Sequence, residues 1–307
     1  MLIYKLGFSF CFSLFLVAIT NAAQVTSNGD DGEGSLRQVV SDSEEGDAIT
    51  FSDSFTITLD SPITLDKNIE IDGGDKVTIS GGEETTIFKI TSGNVEIKNI
   101  TLRDGLSKGA DGRRQGRFVE HAPGGGGAGM GGAIAIQSGN VVIDDVSFVN
   151  NKAIGGNGSN SSPTGNLDYA GGGGSSIFGG GAGRNSWGGS KDGWNGGFGG
   201  GGAGGLEYGG SSSTSRNGYG GKGGFGGGGG GGAGGTYVCG SWPYTKRSRG
   251  LGGQGGLFGG KGSEGAAKNS CNSSDARSGG GGGGAGLGGS IFIRSGELTV
   301  RNSSFEN

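Results

Sequence analysis

Residues 90–104 read ITSGNVEIKNITLRD, residues 136–150 read IQSGNVVIDDVSFVN, and residues 293–307 read IRSGELTVRNSSFEN. Each carries an apolar residue, then x-Ser-Gly, then an alternating pair, then polar residues and a second short alternating pair. Alternation with a period of two is strand signal, and β-branched residues suit a pleated surface. A unit this short cannot bury its own apolar face, so its repetition points to stacking. The superposition places Ile90, Val95, Ile97, Ile100 and Leu102 inward in one coil. Ile136, Val141, Ile143, Val146 and Phe148 lie above them, and Ile293, Leu298, Val300 and Phe305 above those, with Ser303 weakening the third copy.

The same signal extends toward the N-terminus. From Ile49 to Leu102 the pieces ITF, FTITL, ITL, IEI, VTI, IFKI, VEI and ITL follow one another, each broken by Gly, Asp, Asn, Ser or Pro. Gly73-Gly74 and Ser80-Gly81-Gly82 suit the turns between them. An all-β parallel β-helix meets these demands. An antiparallel sandwich also uses short strands, but gives no reason for x-Ser-Gly to return beside a similar run. Before the first strand, SLRQVVSDSEEGD at 35–47 has Leu36, Val39 and Val40 near helical spacing and Ser35 as an N-cap, which reads as a short helix covering the first coil or as a polar loop.

Immediately before the second and third copies stand GGGGAGMGGAIAI at 124–136 and GGGGAGLGGSIFI at 281–293. They read as exits from two insertions, where glycines allow tight re-entry and Ile134/Ile136 and Ile291/Ile293 regain the inward alternation. The larger insertion, 152–280, is glycine-dense, with Phe178, Phe198, Leu206, Phe225, Leu257 and Phe258 set singly or in pairs among the glycines, and Trp187, Trp194 and Trp242 scattered between. It shows no strict period. Two readings stand: a disordered loop partly docked by its aromatics, or a compact subdomain of extended, polyproline-II-like strands.

Composition narrows the function. The chain has 81 glycines in 307 residues but only 4 prolines and no strict glycine triplet throughout, which excludes collagen. The net charge of −4 gives no basis for a nucleic-acid partner. Residues 1–23 carry Lys5, the apolar run LGFSFCFSLFLVAI and small residues at Ala22 and Ala23, the pattern of an export signal; a membrane anchor would need a longer span. Cys239 and Cys271 then remain as an even pair in an exported chain, a disulfide closing the glycine-rich loop or two free thiols.

No catalytic motif stands out. Gly221-Lys222 is followed by Gly223, so a P-loop's hydroxyl is missing, and no G-x-S-x-G elbow is present. His121 beside Glu120 reads as a surface loop. Two cysteines and one distant histidine make a poor metal site, and no cofactor is expected. A glycosidase would need two carboxyl groups facing a sugar. The candidates Asp72, Asp75, Glu96, Asp104, Asp144 and Asp145 read instead as outward, solvated coil positions.

The motif Gly131-Gly132-Ala133-Ile134 followed by Phe148-x-x-Asn151, and Gly288-Gly289-Ser290-Ile291 followed by Phe305, resembles the GGAI and FxxN repeats of the chlamydial-type polymorphic outer membrane proteins. The leader GEGSLRQVVSDSEEGDAITF at 33–51 is similar to that of many secreted bacterial β-helix surface proteins. The resemblance implies a right-handed, pectate-lyase-like parallel β-helix, exported to the cell surface, the outer membrane or the medium, and acting in adhesion. The C-terminal barrel of that family has no counterpart here, so the chain reads as the N-terminal part of a larger ancestral protein, ending inside a coil.

The resulting expectation divides the chain into a signal peptide (1–23), a cap and coils (24–151), the glycine-rich insertion (152–280) and a resumed, incomplete coil (281–307). The expected function is structural or adhesin-like without catalysis; the alternative is a polysaccharide-binding or polysaccharide-degrading enzyme. Expected partners are a host or matrix surface or glycans, and a chain that caps the open C-terminal coil.

Overall fold

The computed structural model describes residues 22–113, 124–159, 173–174, 176–178, 192–205, 218–233, 237–238, 245–246, 249–266 and 279–306. Most of the signal segment, His121, Cys239 and Cys271 lie outside them. The fold is mostly β, with parallel sheets that link strands far apart in sequence in a solenoid-like arrangement.

The described residues begin with β1 (Ala22–Val25) and α1 (Leu36–Asp42). Ser35 caps the helix by accepting a hydrogen bond from the Gln38 amide, and Leu36 and Val40 are buried at the end of the core. Arg37 and Lys67 tie the helix to the first turns: the guanidinium donates to Ser61 O at 2.7 Å and the ammonium to Ser43 O at 2.7 Å. The first coils follow as β2 (Asp47–Phe51), β3 (Thr56–Thr58), β4 (Ile63–Leu65), β5 (Ile69–Asp72), β6 (Thr78–Ser80) and β7 (Phe88–Ile90). Then come β8 (Asn94–Arg103), β9 (Leu106–Lys108), β10 (Gly129–Met130), β11 (Ile134–Ile136), β12 (Asn140–Val149) and β13 (Lys152–Ile154). After a short antiparallel pair, β14 (Tyr237–Val238) and β15 (Thr245–Lys246), the chain closes with β16 (Gly286–Leu287), β17 (Ile291–Ile293), β18 (Glu297–Arg301) and β19 (Ser304–Glu306).

The main sheet runs β1-β2-β5-β8-β12-β18, and a second runs β4-β7-β11-β17. Its register matches the superposed repeats residue for residue. Val95 pairs with Val141 and Val141 with Leu298; Ile97 pairs with Ile143 and Ile143 with Val300; Leu102 pairs with Phe148 and Phe148 with Phe305. Asn94 and Asn140, 46 residues apart, are neighbours across one rung, and Ser147 and Ser304, 157 apart, are neighbours across the next. Neighbouring parallel strands lie ~4.8 Å apart, so the long insertion leaves the stack unshifted. In the last rung Val300 and Phe305 remain 40% and 55% exposed, although Phe305 stacks on Phe148 at 4.7 Å. Ser303 breaks the apolar column there, and its Oγ accepts a hydrogen bond from the Val146 amide at 3.0 Å.

The x-Ser-Gly signature has a physical cause. Gly93, Gly139 and Gly296 stack at one corner with φ of 95°, 121° and 104°, a region that favours glycine. The serine before each donates to a carbonyl one rung below: Ser92 to Asp66, Ser138 to Thr91 and Ser295 to Gln137. A second corner is turned by Asn99, Asp145 and Asn302 at φ of 52°, 54° and 48°, where Asn and Asp are tolerated.

The described parts of the glycine-rich segments form a hydrogen-bonded lattice that grows from the solenoid. Residues 226–232, all glycine, form its centre. Their amides point in turn to three neighbours: Gly226 and Gly229 donate to Leu257 and Gly260, Gly227 and Gly230 to Gly224 and Gly221, and Gly228 to Gly126. Their carbonyls serve three more: Gly226 and Gly229 accept from Ala285 and Gly282, Gly227 and Gly230 from Gly256 and Gly253, and Gly228 and Gly231 from Gly202 and Gly205. A repeat of three with bonds radiating outward is the geometry of a polyproline-II-like strand, which has no internal hydrogen bonds and satisfies its backbone only through neighbours. Side chains are excluded by proximity: a Cβ on Gly230 would overlap Ala203 O, and one on Gly228 would overlap Gly282 O.

Candidate functional site

The motif residues Gly131, Gly132, Ala133, Ile134 and Gly288, Gly289, Ser290, Ile291 sit one above the other where lattice gives way to rung. Gly131 and Gly288 turn the chain at φ of 69° and 62°. Gly132 N donates to Gly289 O at 2.8 Å, and the Ala133 and Ile134 amides both donate to Ser290 O. Ile134 pairs with Ile291. Phe148 is fully buried, and Asn151, 2% exposed, bridges to the rung below: its Nδ2 donates to Leu102 O and its Oδ1 accepts from the Gly105 amide. These residues build the scaffold, and every polar contact they make is internal.

The candidate carboxylates fall on the outside of the solenoid. Asp75, Asp104 and Asp145 occupy corner positions of positive φ. Asp72, Lys98, Asp144 and Arg301 form one column across successive rungs. Lys98 Nζ lies 2.7 Å from Glu70 and 3.7 Å from Asp72, and Arg301 lies 3.5 Å from Asp144. Burial acts to raise the Asp72 carboxyl, but hydrogen bonds from the Asn99 side chain and the Gly74 amide, with the Lys98 charge, outweigh it and hold the group below its ordinary value. The hydrogen bond to Glu70 is the main cause raising Lys98 above its ordinary value. Among the described residues no group of three His, Cys, Asp or Glu is placed to hold a metal ion.

Four of the exposed large apolar side chains, Trp194, Leu251, Leu257 and Phe258, lie on the lattice. Three of its strands carry a side chain at every third position and glycine between: D-G-W-N-G-G-F at 192–198, Y-G-G-K-G-G-F at 219–225 and L-G-G-Q-G-G-L at 251–257, with Trp194 the one exception on a second open face. The glycines face inward, where a Cβ at Gly220, Gly223, Gly252 or Gly255 would overlap a neighbouring carbonyl. The strands run parallel and in register. Gly193, Gly196 and Gly199 donate to Tyr219, Lys222 and Phe225, and Gly220, Gly223 and Gly226 donate to Leu251, Gln254 and Leu257.

This register rules the face into rows. Asp192, Tyr219 and Leu251 form one; Asn195, Lys222 and Gln254 the next; Phe198, Phe225 and Leu257 the third. The Asp192 and Asn195 side chains lock it by accepting from the Tyr219 and Lys222 amides at 2.7 and 2.8 Å. Phe198 and Phe225 stack at 5.0 Å, which gives the spacing along a row. Three residues at ~3.1 Å each put the rows ~9 Å apart.

The third row lies at the turns. Gly200 donates to Gly197 and Gly227 to Gly224, with Gly199 and Gly226 at φ of 74° and 72° in the position of a type II turn that favours glycine. Phe258 takes the same position in the third turn at φ of 69°. Phe292, pointing out of β17, packs against Phe178, Phe198 and Phe225, and Arg294 lies over the Phe198 ring at 4.5 Å. The last rung thus clamps the turn end of the lattice, while Leu257 and Phe258 stay 63% and 67% exposed.

Four of the phenylalanines noted in the sequence, Phe178, Phe198, Phe225 and Phe258, are therefore turn residues brought to one edge of the lattice, whereas Trp187, Leu206 and Trp242 lie outside the described residues. The ruled face was not foreseen. Its signal is the X-G-G triplet, visible when each glycine run is read separately and lost over the whole block, because the intervening segments break its phase.

No protein-family model and no curated protein matches the chain.

Proposed function

We propose that the chain is an exported, surface-exposed structural protein of the adhesin-like kind, built on a right-handed, pectate-lyase-like parallel β-helix, that works by contact and without catalytic turnover. The observation that carries this reading is the rigid presentation of side chains on the glycine lattice, whose strands are bonded to one another and clamped to the last rung through Phe292. A scaffold that orders its backbone in advance loses little further entropy when its exposed side chains meet a partner. The GGAI and FxxN resemblance and the export pattern of residues 1–23 support the same reading. A cell or matrix surface, or its glycans, is the partner, and a capping chain fits the exposed apolar edge at Val300 and Phe305.

The test is saturable binding of the secreted protein to cells or matrix, against a scrambled glycine-rich control. Incubation with a polysaccharide panel forms its second arm. Release of new reducing ends, lost in Asp72→Asn or Asp144→Asn, would replace this reading with that of a polysaccharide-degrading enzyme.

A further inference from the structure

The middle row of the lattice face is a row of hydrogen-bond donors. Asn195 has its Oδ1 engaged by the Lys222 amide, which leaves its Nδ2 protons to solvent. The exposed Lys222 ammonium, three donors on one charge, forms no ion pair among the described residues. Gln254 adds a second exposed amide. On either side, ~9 Å away, lie apolar shelves: Phe225 and Leu257 toward the turns, Tyr219 and Leu251 on the other. Among the described residues, the other charges of the face stand at its margins. Arg294 lies over Phe198, and Asp192 has one oxygen tied by the Tyr219 amide.

We propose that this face binds an acidic polysaccharide, a chain of pyranose units bearing carboxylate or sulfate groups. A sugar ring offers apolar C–H faces for aromatic and aliphatic shelves, and acceptor oxygens for a donor row. An anionic substituent complements Lys222. A neutral glycan leaves that charge unmatched, and an extended nucleic acid needs a run of cations, where the described residues of this face supply one central lysine. The proposal rests on the reading that the protein works by contact, and names the ligand of that contact.

The experiment is calorimetric titration of the full chain with an oligogalacturonate, its fully methyl-esterified neutral counterpart, and heparin as the sulfated probe. One of the two anionic probes binds, its affinity falls steeply with salt, and the methyl ester binds at least tenfold more weakly than its parent. Lys222→Gln lowers the affinity about tenfold and Phe225→Ala lowers it further, whereas Lys261→Gln, on a strand outside the array, leaves it unchanged. Amide-exchange protection of residues 226–232 in each variant checks that the lattice has formed. Absence of binding to both anionic probes, or equal affinity in Lys222→Gln with the lattice intact, overturns the proposal. So does polyglutamate binding as tightly with the same dependence on Lys222, which marks the face as directed at an acidic protein. Chain shortening of a bound probe sinks the non-catalytic reading but leaves the face standing. Adhesion that persists in Lys222→Gln removes the face and keeps the reading.

Discussion

Asn151 shows how one polar residue can hold two rungs. Buried beside Phe148, it satisfies the Leu102 carbonyl and the Gly105 amide, two groups of the rung below that have no solvent to turn to. Asn151→Ala orphans both and is expected to destabilise the solenoid by about 2–4 kcal/mol, read from urea unfolding. The outward ladder behaves differently, because it is partly exposed and screened. Asp72 has a lower pKa folded than unfolded, so its contribution is present above about pH 4 and lost as the pH falls through the folded value. Lys98 is raised, so its contribution is present below its unfolded pKa and lost only as the pH rises through the folded one. Unfolding measured from pH 5 down to 2 should lose stability more steeply in the wild type than in Asp72→Asn, by less than about 1 kcal/mol. The F-x-x-N spacing was visible in the sequence as a resemblance; that the asparagine faces downward and bridges was not, because its partners lie 46 and 49 residues away.

Among the elements, the strands of the lattice differ in one respect that their sequences already display: how many of their faces carry side chains. The central strand, 226–232, is closed on every side and consists only of glycine, while 219–225 and 251–257 have one open face and carry one side chain in three. Gly230→Ala drives a methyl into the Ala203 carbonyl and is expected to cost the lattice about 1–3 kcal/mol, read from native-state hydrogen exchange of its amides. Lys222→Ala, on the open face of the adjoining strand, should change stability by less than about 0.5 kcal/mol in the same measurement. The strands of the solenoid were legible from alternation, and their register from x-Ser-Gly, because each corner glycine lies directly over the glycine or turn of the rung below. The lattice strands lack alternation altogether, and their threefold repeat is too short in each run to stand out against a glycine background.

At the scale of the molecule, the solenoid and the lattice share one hydrogen-bonded body, since β9 and β13 lead out of the rungs into lattice strands and lattice strands lead back into the rungs through β10 and β16, around Gly126, Gly156 and Gly284. Hydrogen exchange should therefore show the amides of residues 199–205, 226–232 and 253–260 protected together, at least a thousandfold beyond a glycine linker of equal length. Exchange at linker rates would refute the lattice. The sequence by itself determined the stack of rungs and the alignment of residues 157 apart, because like residues repeat at like places and each rung has one apolar face to bury. Only the tertiary structure decided what the glycine-rich segments do. Their backbone groups find partners in segments that no sequence period connects, and the row of Asn195, Lys222 and Gln254 exists only where three such segments lie side by side.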